Sequence, residues 1–311
     1  MLGLFLLTLR ELRARKVIIG LAIVATLIWV TMALALQLDV VDGTLAAASI
    51  FGEEEVVEPE PMIDYETGEP LLDDDGNVRM RDPRPGPFGA TVLESWVFGA
   101  QAFVAGVAYW IGIVLALFAT GSLVALLSDR GSADLMLSKP LSRSSILLGR
   151  LSGIWAVTFA LVAYLLGAVW LVMSIKSGIW NPRFLLAIPV VFGMFAVVYS
   201  VVTLVSVWSG SGPLALIVTL GLMFITLILA IPELDLQLAR EWRPLVNGAY
   251  HLLPKFGGVG ARLVPALATG QPIMQPTEQG TVIGLYPLLS SFVFGAVCYG
   301  GAFLLFKRKD F

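Results

Sequence analysis

The chain has 311 residues, of which 57% are hydrophobic and 14% charged, with a formal net charge of -3 and a mean hydropathy of +0.85. A soluble domain averages ~45–50% apolar and ~25% charged residues, so this balance excludes an ordinary soluble protein and marks an integral membrane protein. The single cysteine, Cys298, lies in an apolar run, which excludes an intrachain disulfide.

Residues 2–16, LGLFLLTLRELRARK, place Leu2, Phe5, Leu6, Leu9 and Leu12 at helical spacing and gather basic residues at the C-terminal end. That pattern predicts a helix lying in the membrane interface. A first span follows at Val17–Leu38. Basic residues precede it and Ala33-Leu34-Ala35 resembles a cleavage site, but its apolar run exceeds the ~7–15 residues of a signal peptide. Residues 1–38 therefore form the first unit.

Residues 39–97 are a polar excursion rich in Glu, Asp, Pro and Gly. Asp73, Asp75 and Asn77 fit the opening of an EF-hand loop, but Val78 holds the required Gly position and Arg84 the terminal Glu position. Calcium ligation is excluded on that mismatch. Asp75-Gly76 instead predicts a hairpin between strands around Tyr65–Leu72 and Asn77–Arg81. The run Glu53, Glu54, Glu55, Glu58 and Glu60 reads as a solvated surface.

Spans two to five are expected at Phe98–Leu127, Leu151–Ile175, Phe184–Trp208 and Pro213–Ile231, within a unit of residues 98–231. Gly106, Gly112, Gly121, Gly167, Gly193, Ser200, Thr203, Thr219 and Thr226 suit close helix packing and interhelical hydrogen bonds. Ser209–Gly212, SGSG, reads as a tight turn rather than a nucleophile site. Residues 232–282 form the second excursion. There Leu234, Leu238 and Trp242 share one helix face, while AYHLLPKF and ARLVPAL form short apolar helices broken by Pro254 and Pro265. His251, the one histidine, reads as a structural hydrogen-bonding group. Ile283–Phe306 is the sixth span, and residues 283–311 end in a basic tail.

The expected fold class is thus an all-α integral membrane protein with six transmembrane helices and an N-terminal interfacial helix. Six spans leave both termini on one side, which carries Arg10, Arg13, Arg15, Lys16, Arg130, Lys139, Arg143, Arg150, Lys307, Arg308 and Lys309 against few acids. The positive-inside rule makes that side cytoplasmic, with the chain in the cell (inner or plasma) membrane. No Asp, Glu, Lys, Arg or His occupies a span interior, which argues against proton-coupled transport and intramembrane proteolysis. H-E-x-x-H, G-x-S-x-G and G-x-x-x-x-G-K-[ST] are all absent, so the chain is no enzyme, needs no metal or cofactor, and carries no phosphate loop for ATP. Nothing in it calls for nucleic acid, and no substrate-binding residue can be named.

The cytoplasmic loop at 128–150 contains RGSADLMLSKPLSRSSILLGR. Pro140 disfavours helix at Lys139, and Ser142 is placed as the N-cap of SSILLGRLSG. This stretch, the opening TLRELRARK, the ending FKRKDF and AYHLLPKF together resemble ABC-2 type transporter permeases. Asp129 stands where Glu is common in that family. The resemblance implies a permease subunit of an ATP-binding cassette transporter, an exporter that dimerises with a second permease subunit. Separate ABC ATPase subunits would bind ATP and Mg and dock on the first cytoplasmic loop. Carried over, the coupling residues are Asp129, Arg130, Gly131, Lys139, Pro140 and Arg143. The competing reading is an uncoupled membrane protein, either a secondary carrier or a scaffold displaying the acidic outer loop.

Overall fold

A computed structural model describes residues 16–41, 44–50, 53–56, 92–128, 142–231, 241–264, 266 and 286–308. The expected interfacial helix at 2–16, the strands around Asp75-Gly76, the helix face of Leu234, Leu238 and Trp242, and Pro265 lie outside the described residues, apart from Lys16 and Trp242.

The first helix, α1, covers Lys16–Ala35. It ends three residues before the expected Leu38, because Leu36-Gln37-Leu38-Asp39-Val40 alternates apolar and polar residues, the two-residue period of a strand. Leu36–Val41 is β1, Thr44–Ile50 is β2 and Glu53–Val56 is β3. They pair antiparallel in the order β1-β2-β3, with Val41 opposite Thr44 and Ile50 opposite Glu53. The chain is therefore not purely helical, and part of the acidic run is a strand.

Val92–Val107 forms α2, which passes through a π-helical turn at Ala108–Gly112 into α3, Ile113–Thr120. Gly121 links it to α4, Ser122–Ala125, and a 3-10 turn at Leu126–Ser128 closes the segment. The helix α5, Arg143–Ser177, has 35 residues and ends at Gly178 in the left-handed region. At 1.5 Å per residue it is about 52 Å long, well beyond the ~30 Å of a hydrocarbon core. A 3-10 turn at Pro182–Leu186 leads into α6, Ala187–Ser209, and the turn through Gly210 and Ser211 into α7, Gly212–Ile228. Then come α8, Arg243–Leu252, a short α9 at Phe256–Gly258 with a π-helical turn at Val259–Leu263, and α10, Tyr286–Arg308.

Four described segments are long and apolar enough to span a membrane: Glu94–Ala125, Ser144–Ser177, Pro182–Ser209 and Tyr286–Arg308. Two shorter apolar helices, Ile18–Leu34 and Gly212–Ile228, occupy the places of the expected first and fifth spans. Among the described residues the count of full-length spans is thus four, not six, since α7 stops at Ile228 and α1 yields to β1.

The hub is α6, whose buried face includes Val191, Phe195, Tyr199 and Val202. Small residues bring α10 against it: a Cβ on Gly193 would meet Phe292 at 2.7 Å, and one on Gly295 would meet Val197 at 3.3 Å. Tyr299 on α10 donates to Ala196 O at 2.7 Å and accepts from Trp155 Nε1 at 3.3 Å, tying α5, α6 and α10 together. The outward faces of α7 and α10 expose Ile217, Phe224, Val293, Val297 and Leu304, side chains suited to lipid rather than water.

Of the hydroxyls expected to bond between helices, Ser200 on α6 also bonds the Cys298 side chain on α10, but all four bond within their own helix. Ser200 donates to Val197 O, Thr203 to Tyr199 O, Thr219 to Ala215 O and Thr226 to Met223 O. Each satisfies itself on its own helix, as Ser and Thr readily do in apolar surroundings. Of the expected packing glycines, Gly121 and Gly193 sit at close approaches. At Gly106 and Gly167, by contrast, an added Cβ would have nothing within 4 Å.

Candidate functional site

The elbow of interest starts where α4 ends and finishes where α5 begins. Residues 129–141 are outside the described residues, and with them Asp129, Arg130, Gly131, Lys139 and Pro140. Arg143 is the first residue of α5.

Ser142 is the N-cap of α5, with extended backbone angles (φ −67°, ψ 142°). Its Oγ accepts from Ser145 N at 3.2 Å and lies 2.6 Å from Ser145 Oγ. One of the four free N–H groups at the helix start is thereby satisfied, which fixes where α5 begins. The cap expected from the sequence is in place.

Two turns on, Arg150 is buried, 4% exposed, among Ile146, Leu147 and Leu151. Its Nε donates to Leu123 O at 3.3 Å. Leu123 belongs to the last turn of α4, where backbone carbonyls run out of helical partners and a guanidinium is favoured by the helix dipole. Arg150 therefore clasps the two stems between which residues 129–142 run. In the sequence Arg150 is one more positive charge. Only its burial separates it from the other basics, and burial of an arginine next to a span end has no sequence signature.

The clasp is continuous with the turn between α6 and α7. A Cβ on Gly212 would meet Ser122 Cα at 3.0 Å, and one on Gly121 would meet Leu216 at 2.6 Å. Backbones here are as close as glycine permits. Gly210 takes φ +70°, Ser211 caps α7 by accepting from Leu214 N at 3.4 Å, and Ser209 Oγ accepts from Ser211 N at 3.1 Å. SGSG is the tight turn the sequence suggested, and it packs on α4.

Residues 9–311 match the family described as ABC-2 family transporter protein. The chain belongs to the ABC-2 transporter family. No curated protein and no solved structure matches it. Members of the ABC-2 family are non-catalytic transporter components, and among the described residues no three His, Cys, Asp or Glu side chains gather as a metal site would require. For an ABC-2 protein, the elbow places a capped helix start, a buried arginine and a glycine-tight turn at one end of the bundle.

At the other end, Tyr109 in the π-helical turn donates to Phe256 O at 2.7 Å and stacks on the Phe256 ring at 4.7 Å. Gly260 lies so close to Tyr109 and Trp110 that a Cβ would overlap both rings, meeting Trp110 at 2.6 Å. The segment of α8 and α9 is thus locked onto the bundle, with Pro254 separating the two helices as expected. Between α2 and α5, Asn181 Nδ2 donates to Gln101 Oε1 at 3.0 Å, and Trp170 Nε1 donates to Asn181 O at 2.9 Å. His251 Nδ1 lies 3.0 Å from Tyr286 Oη, a structural hydrogen bond of the kind expected for it. Cys298 is buried and free.

Proposed function

We propose that this ABC-2 protein is the transmembrane permease subunit of an ATP-binding cassette exporter, driven by separate ATPase subunits that dock on residues 128–150. The observation that carries the reading is the Arg150 clasp: the segment expected to meet the ATPase is tied through Leu123 to α4, and α4 is in backbone contact with the α6–α7 turn. A push on residues 129–142 then moves the ends of α4 and α5 together instead of being absorbed by a loose connection. Because the chain has no phosphate loop, the energy of ATP and Mg must enter from a partner.

In this reading the membrane is crossed six times. The 20 residues of α1 extend about 30 Å, and α7 with its following turn approaches the same length. Both termini and the 128–150 elbow face the cytoplasm, and residues 39–97 and 232–282 face the opposite side. Asp129, Arg130, Gly131, Lys139, Pro140 and Arg143 form the ATPase contact, with Arg143 making forked hydrogen bonds to a partner carboxylate. A second permease subunit completes the pathway. A cargo with a large apolar part suits spans that carry no charge in their interiors.

Purification from the native cell in mild detergent tests this. An ATPase subunit with a phosphate loop, recovered in constant proportion, is the expected result. A chain that emerges alone, with no nucleotide dependence of any property, favours the uncoupled carrier or scaffold.

A further inference from the structure

The helix α8, Arg243–Leu252, has no buried residue. Trp242 at its N-cap, Leu245 and Leu252 stand 57%, 64% and 74% exposed. Trp242, Leu245, Ala249 and Leu252 follow one another at the three- and four-residue steps of one helix face. Arg243, Asn247 and His251 recur at four-residue steps on another side. So short a helix is marginal on its own in water, and an apolar side this exposed needs something to cover it.

The height of α8 in the molecule is set by its C-terminal end. His251 Nδ1 lies 3.0 Å from Tyr286 Oη, at the start of α10. Just beyond, the N–H of the buried Lys255 donates to Ser291 Oγ at 2.8 Å. A Cβ on Gly257 would meet Thr226 O at 2.8 Å. Thr226 is about 21 Å along α7 from Gly212, which touches α4 at the elbow. The end of α8 therefore stands near one boundary of a ~30 Å hydrocarbon layer whose other boundary is at the elbow.

We propose that α8 is a surface anchor, seating Trp242, Leu245 and Leu252 in the lipid of the leaflet opposite the elbow. Continuity with a lipid-facing surface selects this occupant. Tyr286, Leu289, Val293 and Val297 form an exposed stripe along α10, and the member at its end, Tyr286, is the residue that bonds His251. The stripe on α10 thus leads directly to α8 at the depth where acyl chains give way to headgroups. A tryptophan is at home at that depth. The side bearing Asn247 and His251 is left to headgroups and water, as in other interfacial helices. Held this way, α8 supports α9, which Tyr109 and Gly260 lock onto the bundle. The anchor is independent of the ATPase reading, and its test needs no nucleotide.

The full chain, carrying Cys298→Ala, is reconstituted in phosphatidylcholine nanodiscs with a nitroxide placed singly at position 245, 247 or 252. Collision with oxygen, which concentrates among acyl chains, is compared with collision with a water-soluble nickel chelate. The oxygen-to-nickel ratio is expected to be several-fold higher at 245 and 252 than at 247. In parallel, the unaltered chain is illuminated in phosphatidylcholine bearing a diazirine on its acyl chain, with adducts expected on Trp242, Leu245 and Leu252 and none on Asn247. Equal ratios at the three positions place the stripe in water and overturn the anchor. Low collision with both reagents at 245 and 252 overturns it in favour of a face covered by protein, such as a second copy of the chain. If a labelled variant fails to fold, the adducts decide: their absence from α8 in a chain that carries them on Val293 and Val297 overturns the anchor.

Discussion

Replacing Arg150 by Met removes the clasp while keeping an unbranched side chain of similar reach. Among the interactions lost is a guanidinium N–H donated to a carbonyl at 3.3 Å. Hydrogen bonds to charged groups contribute ~1.5–3 kcal/mol, and 3.3 Å is longer than the usual ~2.9–3.0 Å. The lower end applies, so the stems lose about 1.5 kcal/mol of mutual stabilisation, close to a tenfold change in the opening equilibrium. Because α5 begins only two turns earlier at Ser142, that opening frays its start. Hydrogen exchange of the Leu147–Leu151 amides should therefore quicken ~10-fold, as local opening reports directly on exchange. The α6 amides around Tyr199, buried in the hub, should keep their wild-type rates. Unchanged exchange in the α5 start, within a factor of about two, would show that Arg150 does not hold the elbow.

Other substitutions probe the same architecture. Ser142→Ala deletes the N-cap and should cost ~1 kcal/mol, read as about fivefold faster tryptic cleavage at Arg143. Tyr109→Phe deletes the 2.7 Å bond to Phe256 O in a buried site and should lower unfolding stability in a denaturing-detergent titration by ~1–2 kcal/mol. Gly260→Ala drives a methyl into Tyr109 and Trp110 and should cost ~1–3 kcal/mol, with altered near-ultraviolet dichroism. Gly258→Ala, where nothing lies within 4 Å, should be neutral by the same measures.

Much of this fold is legible in the sequence because lipid imposes long apolar runs, and runs of that length have few alternatives. The cap at Ser142 and the turn at Ser209–Gly212 are legible for a different reason: short polar side chains and glycine have specific backbone uses that nothing else in an apolar chain competes with. The β-sheet is hidden because Leu36 and Leu38 also continue an apolar helix, and the run before them outweighs the alternation with Gln37 and Asp39. Asp42-Gly43 carries the same hairpin signal as Asp75-Gly76. The self-bonded hydroxyls of Thr203 and Thr219 cannot be told from interhelical ones, because packing sets whether a side chain turns toward its own or a neighbouring helix. Arg150 and Lys255 are invisible for a shared reason. Each reads as an ordinary surface charge, and only tertiary structure buries it.

The central claim is that residues 128–150 receive work from a partner ATPase, and Arg143 at the head of α5 is its sharpest test. Arg143→Glu reverses the charge at a position where the helix dipole favours an acid, so α5 itself should be no less stable. The decisive measurement is ATP hydrolysis by the reconstituted permease–ATPase complex, compared between wild type and Arg143→Glu at equal membrane insertion. The account predicts that permease-dependent hydrolysis is lost in the variant. Full permease-dependent hydrolysis by Arg143→Glu would contradict it.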